Sequence, residues 1–179
     1  IAFLRLRKPL EFYLAKYGNP VFALQKMSLL MEKQHNRGQD GAGLVCVKLN
    51  MLHGKPYINR LRNNSATPII DTFNQAFAPI HDLKNTKSNL YFDIDYLKEN
   101  IEFTGEVFLG HLRYGTFGKN NIKHVHPFIR PNNWKTCNLI LAGNFNMTNS
   151  GELFQKLIQM GQHPVETADT VTIMEQIGY

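Results

Sequence analysis

The 179-residue sequence is poor in cysteine, with only Cys46 and Cys137. Two cysteines cannot build the disulfide framework that holds many small secreted domains together. Each lies in an apolar, strand-like run, where a thiol packs as a small hydrophobic side chain. We therefore expect both to be reduced core residues.

Long apolar runs are also missing. The longest are strand-length pieces such as residues 44–47 and 139–142, whereas a membrane-spanning helix needs roughly 20 apolar residues. Arg5, Arg7 and Lys8 interrupt the apolar opening of the chain, unlike a signal peptide, whose charges precede an uninterrupted apolar region. We expect no membrane association and a cytoplasmic location.

The chain lacks a concentrated basic surface although its formal charge is +6 and its pI is about 9.3. Arg60, Arg62, Lys84 and Lys87 give local positive charge, but the basic residues as a whole are scattered and are not interleaved with aromatic residues. A single-strand nucleic-acid binder requires both features. We therefore expect no nucleic-acid partner.

The hydrophobic fraction of 43% suits one globular domain over residues 1–179. Apolar residues at spacings of three and four after Asn19-Pro20 predict a helix that ends near His35. Strand-like composition predicts strands at the start of the chain and three more further along. These strands are residues 1–7, 44–49, 106–112 and 138–142.

Further helices are predicted toward the end of the chain. Asn149 would cap a helix over residues 150–160, with Glu152 reaching back to the cap, and a last helix would run from about Ala168 to the end. Because its apolar pattern is still running there, we expect the domain to be incomplete at both ends. Residues 50–100 are more polar, with helix-like stretches at 68–80 and 93–100 around a loop at 82–88, and are interpreted as a helical insertion or peripheral layer.

Three polar segments lie at the ends of predicted strands, where a packed scaffold exposes working groups. Arg113 offers a fork of donors suited to a carboxylate. The Asn144 amide, next to a turning backbone N–H, could form an oxyanion hole. Taken alone, the first segment is more typical of a helix-to-strand loop held by an Arg37–Asp40 pair, whereas together with the other two it favours a functional site. The segments read HNRGQDGAG at 35–43, GHLRYGTFG at 110–118 and GNFNMTN at 143–149.

His124 and His126, with His111, have two interpretations. They could bind a metal, but zinc sites usually offer three or four well-spaced ligands. They could instead belong to a polar loop over an active site, with Pro127-Phe128 packed beneath. We favour the loop and expect no metal.

The three segments, in this order after Ile1-Ala2-Phe3, resemble the glutaminase domain of the class II glutamine amidotransferases, which are N-terminal nucleophile hydrolases. The stretch from Arg37 to Asp40 and the pair Arg113-Tyr114 resemble the amidophosphoribosyltransferase branch more than the sugar-phosphate aminotransferases. The resemblance implies an α+β fold, a four-layer αββα sandwich of two mainly antiparallel sheets.

The resemblance also implies roles for individual residues. Arg113 would bind the α-carboxylate of glutamine and Asp169 its α-amino group, with Thr116 and Arg37 also at the substrate. Asn144 and the Phe145 backbone N–H would form the oxyanion hole, although the family usually has glycine where Phe145 stands. The family's nucleophile is an N-terminal cysteine followed by glycine, two places before the position of Ile1.

The implied activity is hydrolysis of L-glutamine to glutamate and ammonia. The ammonia would pass to a phosphoribosyltransferase-type synthase domain, in the same chain or a separate one, that uses phosphoribosyl pyrophosphate in purine synthesis. A homo-oligomer is expected. No cofactor is expected in this domain, and magnesium only in the synthase domain. The alternative is a noncatalytic glutamine-binding or scaffolding domain without the nucleophile.

Overall fold

The computed structural model describes residues 1–115, 121–164 and 168–178, which form an α+β fold with two antiparallel sheets. The strands are β1 (Ala2–Arg5), β2 (Gly41–Val47), β3 (Ile58–Asn63), β4 (Val107–Arg113), β5 (Phe128–Arg130) and β6 (Leu139–Leu141). The α-helices are α1 (Leu10–Tyr17), α2 (Phe22–Lys33), α3 (Pro68–Thr86), α4 (Ile94–Asn100), α5 (Ser150–Gln159) and α6 (Asp169–Ile177).

The larger sheet has the strand order β1-β4-β2-β3, with every neighbouring pair antiparallel. Helices α2 and α3 cover one face of it. Met27 and Met31 of α2 lie so close to Gly110 of β4 that a side chain at Gly110 would collide with both. The main core therefore lies between this sheet and its helices, because the sequence places a glycine where the helix must approach the strand closely.

The smaller sheet pairs β5 with β6, with Ile129 opposite Ile140. Val171 and Met174 of α6 pack with Phe128 of β5 in a second apolar cluster, and α5 packs on α6. A two-stranded pair has little stability alone, so its packing partners hold it in place.

The two sheets face each other through glycine residues of β2. A Cβ added at Gly43 would collide with the carbonyl oxygen of His126, and one added at Gly41 would lie 2.9 Å from the Val125 side chain. The layer order is thus helices, large sheet, small sheet, helices. This order confirms the predicted four-layer fold class.

Several elements differ from the prediction. Helix α1 was not predicted, and β3 lies within the polar region 50–100, where Asn59, Arg60 and Arg62 hide its strand character. Helix α3 continues through the loop predicted at 82–88 as far as Thr86, because Leu83 is buried in the core. Asn149 precedes α5 as predicted, but its side chain makes no capping hydrogen bond.

The prediction for the cysteines is right for one residue and wrong for the other. Cys46 is free and buried in β2, whereas Cys137 is free and exposed. Cys137 lies in a 3₁₀ turn at Lys135–Cys137, because β6 begins only at Leu139. Among the described helices, none combines the length and apolar character that crossing a membrane requires.

Candidate functional site

The first two polar segments meet at the end of β4. The backbone N–H of Asp40 donates to the Arg113 carbonyl oxygen over 3.1 Å, and the Asp40 carboxylate accepts from the Gly115 N–H over 2.7 Å. A Cβ at Gly38 would lie 2.6 Å from the same Arg113 carbonyl. In the described part of the chain, Asp40 therefore anchors the second segment, and the predicted Arg37–Asp40 ion pair is not formed.

The third segment, residues 143–149, is held at three points. The Gly143 N–H donates to His126 Nδ1 over 3.2 Å, and His111 Nε2 lies 3.2 Å from Asn144 Oδ1. The Met147 N–H donates to Asp169 Oδ2 over 2.8 Å. One contact comes from β4, one from the loop before β5 and one from α6, so the segment is fixed by both sheets and by the outer helix.

His111 and His126 form the polar centre between the sheets. Their ring centroids are 4.6 Å apart, and His126 Nε2 lies 3.0 Å from Thr170 Oγ1. Burial lowers the pKa of His111 to about 4, against an increase from the Asn144 hydrogen bond. Burial, and then the neighbouring His111, lower the pKa of His126 to about 3. Both rings are therefore neutral at pH 7.

The tautomer of His126 follows from its partners. A backbone N–H can only donate, so Nδ1 must accept from Gly143 and the ring proton must lie on Nε2. That proton donates to the Thr170 hydroxyl. His124 is exposed. No group of three His, Cys, Asp or Glu side chains suited to a metal ion occurs in the described ranges.

The predicted site residues fall into two groups. Arg113 is only 7% exposed at the end of β4, and its charge is close enough to lower the pKa of His126. The Asn144 side chain contacts His111 of this centre, and the Asp169 carboxylate accepts from the Met147 N–H of the same segment. The Phe145 ring folds back over Gly143, where a side chain would collide with it.

The other two predicted residues are placed differently. Arg37 is exposed in the 3₁₀ turn His35–Arg37, beside the Gly38 that packs on Arg113. Thr116 lies outside the described residues. The two bridging histidines were considered in the sequence only as metal ligands or loop residues. The sequence could have indicated that His111 lies in the site, because alternation along β4 puts His111 and Arg113 on one face of the strand.

This four-layer arrangement, with polar groups collected between the sheets, matches the fold that the resemblance implies, that of the amidotransferase domains among the N-terminal nucleophile hydrolases. Two solved structures share it. One is the glutamine phosphoribosylpyrophosphate amidotransferase from B. subtilis complexed with ADP and GMP, with a TM-score of 0.56 and 23% identity over 87% of this chain and 26% of that one. The other is described as the allosteric regulatory enzyme of purine biosynthesis. It has a TM-score of 0.56 and is 22% identical over 84% of this chain and 26% of that one.

In sequence the chain is related to amidophosphoribosyltransferases, which confirms the resemblance seen in its motifs. It is 27% identical over 161 residues to the chloroplastic enzyme of Vigna aconitifolia, covering 90% of this chain and 26% of the relative. It is 29% identical over 161 residues to chloroplastic amidophosphoribosyltransferase 3 of Arabidopsis thaliana, covering 90% of this chain and 24% of the relative. The amidophosphoribosyltransferase of Pasteurella multocida is 29% identical over 134 residues, covering 75% of this chain and 20% of the relative.

The chain spans about a quarter of the length of the first two curated relatives. No family model matches it. In fold and in sequence the chain is therefore similar to amidophosphoribosyltransferases.

Proposed function

We propose that this domain hydrolyses glutamine to glutamate and ammonia with an N-terminal cysteine as nucleophile, and that the ammonia serves a synthase domain that uses phosphoribosyl pyrophosphate. The observation that supports the proposal is the three-point attachment of residues 143–147, in which Asn144 contacts His111, Gly143 contacts His126 and Met147 contacts Asp169. A bound amino acid amide requires paired donors for its carboxylate, an amide donor for the oxyanion and an acceptor for its ammonium group. Arg113, Asn144 and Asp169 are the side chains of these three kinds.

The register of β1 supports a position for the nucleophile. Ala2 pairs with Gly110 in the antiparallel ladder, so Ile1 lies opposite His111. Two further residues in strand conformation would lie opposite Leu112 and Arg113. Side chains alternate along a strand, so the second residue before Ile1 would share the face of His111 and Arg113. A Cys-Gly pair directly before Ile1 would place its thiol beside Arg113.

Neither cysteine of the chain suits this role. Burial raises the pKa of the Cys46 thiol, which keeps it protonated and unreactive. Cys137 is exposed in the turn before β6. Both are internal residues, so neither carries the free α-amino group that would act as the base.

In the proposed reaction, Arg113 binds the α-carboxylate of glutamine and Asp169 its α-ammonium group, with Arg37 and Thr116 as further substrate contacts. Asp169 accepts one hydrogen bond from Met147, and a carboxylate retains acceptor capacity beyond one bond. The free α-amine of the cysteine accepts the thiol proton, since its pKa of about 8 suits a base near neutral pH.

The thiolate then attacks the carboxamide carbon, and Asn144 with the Phe145 N–H donate to the oxyanion. The C–N bond breaks, and the leaving nitrogen takes the proton and departs as ammonia. Water hydrolyses the thioester, which releases glutamate and restores the thiol.

The test uses the natural full-length protein, its N terminus read by intact mass and terminal sequencing, treated with a diazoketone analogue of glutamine. We expect a Cys-Gly start and labelling of that cysteine, and free glutamine should slow the labelling. A mature start without cysteine, together with glutamine binding by calorimetry, would favour the noncatalytic binding domain instead. The cytoplasmic location and the homo-oligomeric state stay predictions.

A further inference from the structure

We infer that His111 is a positioning residue that holds the Asn144 side chain by its oxygen, so that the amide N–H₂ points at the oxyanion. This inference rests on the proposed function, because it gives the oxyanion donor its orientation. His111 does not touch the substrate in this scheme and acts only through Asn144.

The contact joins a rigid residue to an exposed one. His111 lies in the middle of the large sheet in β4 and is only 3% exposed. Asn144 is exposed and belongs to the irregular stretch between β6 and α5. Its side-chain oxygen lies 3.2 Å from His111 Nε2. An exposed amide without such a partner rotates between rotamers, whereas one held at its oxygen keeps a single orientation.

The direction of this hydrogen bond follows from the other ring nitrogen. His111 Nδ1 is buried and has no hydrogen-bond partner among the described residues. If the proton were on Nδ1, a buried N–H would have no acceptor, and buried N–H groups without a partner are rarer than unsatisfied acceptors. The proton therefore lies on Nε2 and donates to Asn144 Oδ1. The two N–H bonds of the Asn144 amide are left to donate elsewhere.

The neutral state of the ring keeps this arrangement unambiguous. A protonated ring would place a second N–H at the buried Nδ1 position, where no group of the described residues accepts it. Burial already disfavours that state by lowering the pKa of His111. The neighbouring His126, also neutral, accepts the hydrogen bond of the Gly143 backbone N–H. The side chain of Asn144 and the backbone just before it are thus both held by neutral histidines.

The first test is a double-mutant cycle on glutamine hydrolysis by the natural full-length protein, with His111→Phe and Asn144→Ala. We expect His111→Phe to lower kcat by about 10–10²-fold, because losing an oriented oxyanion donor has effects up to this order, with the KM for glutamine nearly unchanged. In the Asn144→Ala background the same change should have less than about a twofold effect, since residues that act as a unit are not additive. His111→Gln, which keeps an N–H donor, should restore most of the activity.

His53→Leu serves as the control, because His53 is exposed and lies outside the site. The positioning role would be overturned if the losses in kcat of the two single variants multiplied in the double mutant. It would also be overturned if His111→Phe raised the KM and left kcat unchanged. A wild-type protein without glutaminase activity would instead sink the proposed function.

The second test requires neither a variant nor activity. Long-range ¹⁵N–¹H NMR of the histidine rings in the wild-type protein reads the tautomer directly. We expect the proton of His111 on Nε2. A proton on Nδ1 would overturn the inference even if every variant failed to fold.

Discussion

At the scale of single residues, Asn144 is where a small change should separate turnover from folding. Asn144→Ala removes one of two proposed oxyanion donors and should lower kcat for glutamine hydrolysis by about 10²–10³-fold. Asn144 is exposed, but its loss takes the acceptor from the His111 N–H, so the free energy of unfolding should fall by no more than about 1–3 kcal/mol. Steady-state kinetics and urea unfolding of the same sample measure the two quantities.

The matched control for that change is Asn149→Ala. Asn149 is also an exposed asparagine, and its side chain makes no capping hydrogen bond to α5. It should keep wild-type turnover. Equal losses in both variants would show that Asn144 acts through the loop rather than through the oxyanion.

The candidate residues themselves were predictable from sequence, but their partners were not. Arg113, Asn144 and Asp169 stand in recognisable motifs, so their chemistry can be read from residue type and order. The bond from His111 to Asn144 joins positions 33 apart in sequence and forms only when the two sheets pack. No local pattern encodes such a contact.

At the scale of elements, the two sheets approach each other through a glycine. Gly43→Ala would place a Cβ against the backbone carbonyl of His126, and backbone cannot move aside as a side chain can. Overpacking of this kind should lower the free energy of unfolding by about 2–3 kcal/mol or more. It should also lower turnover, because His126 holds Gly143.

The control is Gly151→Ala in α5, where no atom of the described residues lies within 4 Å of the added Cβ. Alanine in a helix is favoured over glycine by about 0.5–1 kcal/mol, so this variant should be slightly more stable than wild type. Thermal unfolding of the two variants gives the comparison. A stable Gly43→Ala protein would contradict the close packing of the sheets.

A buried ion pair attaches α4 to the large sheet. Lys98 Nζ lies 2.6 Å from Glu106 Oε1, with side-chain exposures of 13% and 6%, and Glu106 Oε2 accepts from the Leu49 N–H. Lys98→Met would leave the Glu106 charge buried and unpaired. Removal of one partner of such a pair should lower the free energy of unfolding by about 3–5 kcal/mol.

Lys55→Met tests whether burial causes the large loss of stability expected for Lys98→Met. The Lys55–Glu99 pair spans 3.4 Å with side-chain exposures of 47% and 37%. Exposed pairs contribute about 1 kcal/mol or less. Similar losses for Lys55→Met and Lys98→Met in urea unfolding would mean that burial does not decide the strength of these pairs.

The elements also differ in how far sequence could predict them. Helix α2 has a regular apolar face, with Ala23, Leu24, Met27 and Met31 buried, and its pattern was sufficient. Strands β5 and β6 have three residues each, too few for a period of two to be distinctive. Strand β3 is an edge strand rich in polar residues, so tertiary pairing determines its conformation rather than composition.

At the scale of the whole molecule, the two neutral histidines make stability depend on pH. The folded pKa values of about 4 for His111 and about 3 for His126 lie below the ordinary value of 6.5. At pH values between the folded pKa of each histidine and 6.5, the unfolded chain binds more protons than the folded one. The free energy of unfolding should therefore fall as the pH drops below about 6.5, by up to about 1.4 kcal/mol per pH unit for each histidine.

Urea unfolding at pH 7, 6 and 5 measures this slope before most carboxylates titrate. His111→Gln removes one of the two groups and should make the dependence clearly shallower. If wild type and His111→Gln lose stability in parallel over this range, the histidines do not cause the effect.

The layer order of the whole molecule could not be obtained from periodicity. Helix and strand patterns indicate mixed α and β layers, but the arrangement of two sheets between helices followed from the resemblance of three motifs. The glycines that permit the layers to approach are ordinary in sequence. Only their contacts with Met31 or His126 reveal what they do.

The register of β1 against β4 sets a spacing rule for the proposed chemistry. Each residue of a strand advances about 3.3 Å and turns its side chain to the opposite face. One residue inserted before Ile1, after a Cys-Gly start, would move the thiol toward the helix-covered face of the sheet. Two inserted residues would return it to the correct face but about 7 Å beyond Arg113. The length between the first residue and β1 should thus tolerate no change, although its composition could vary.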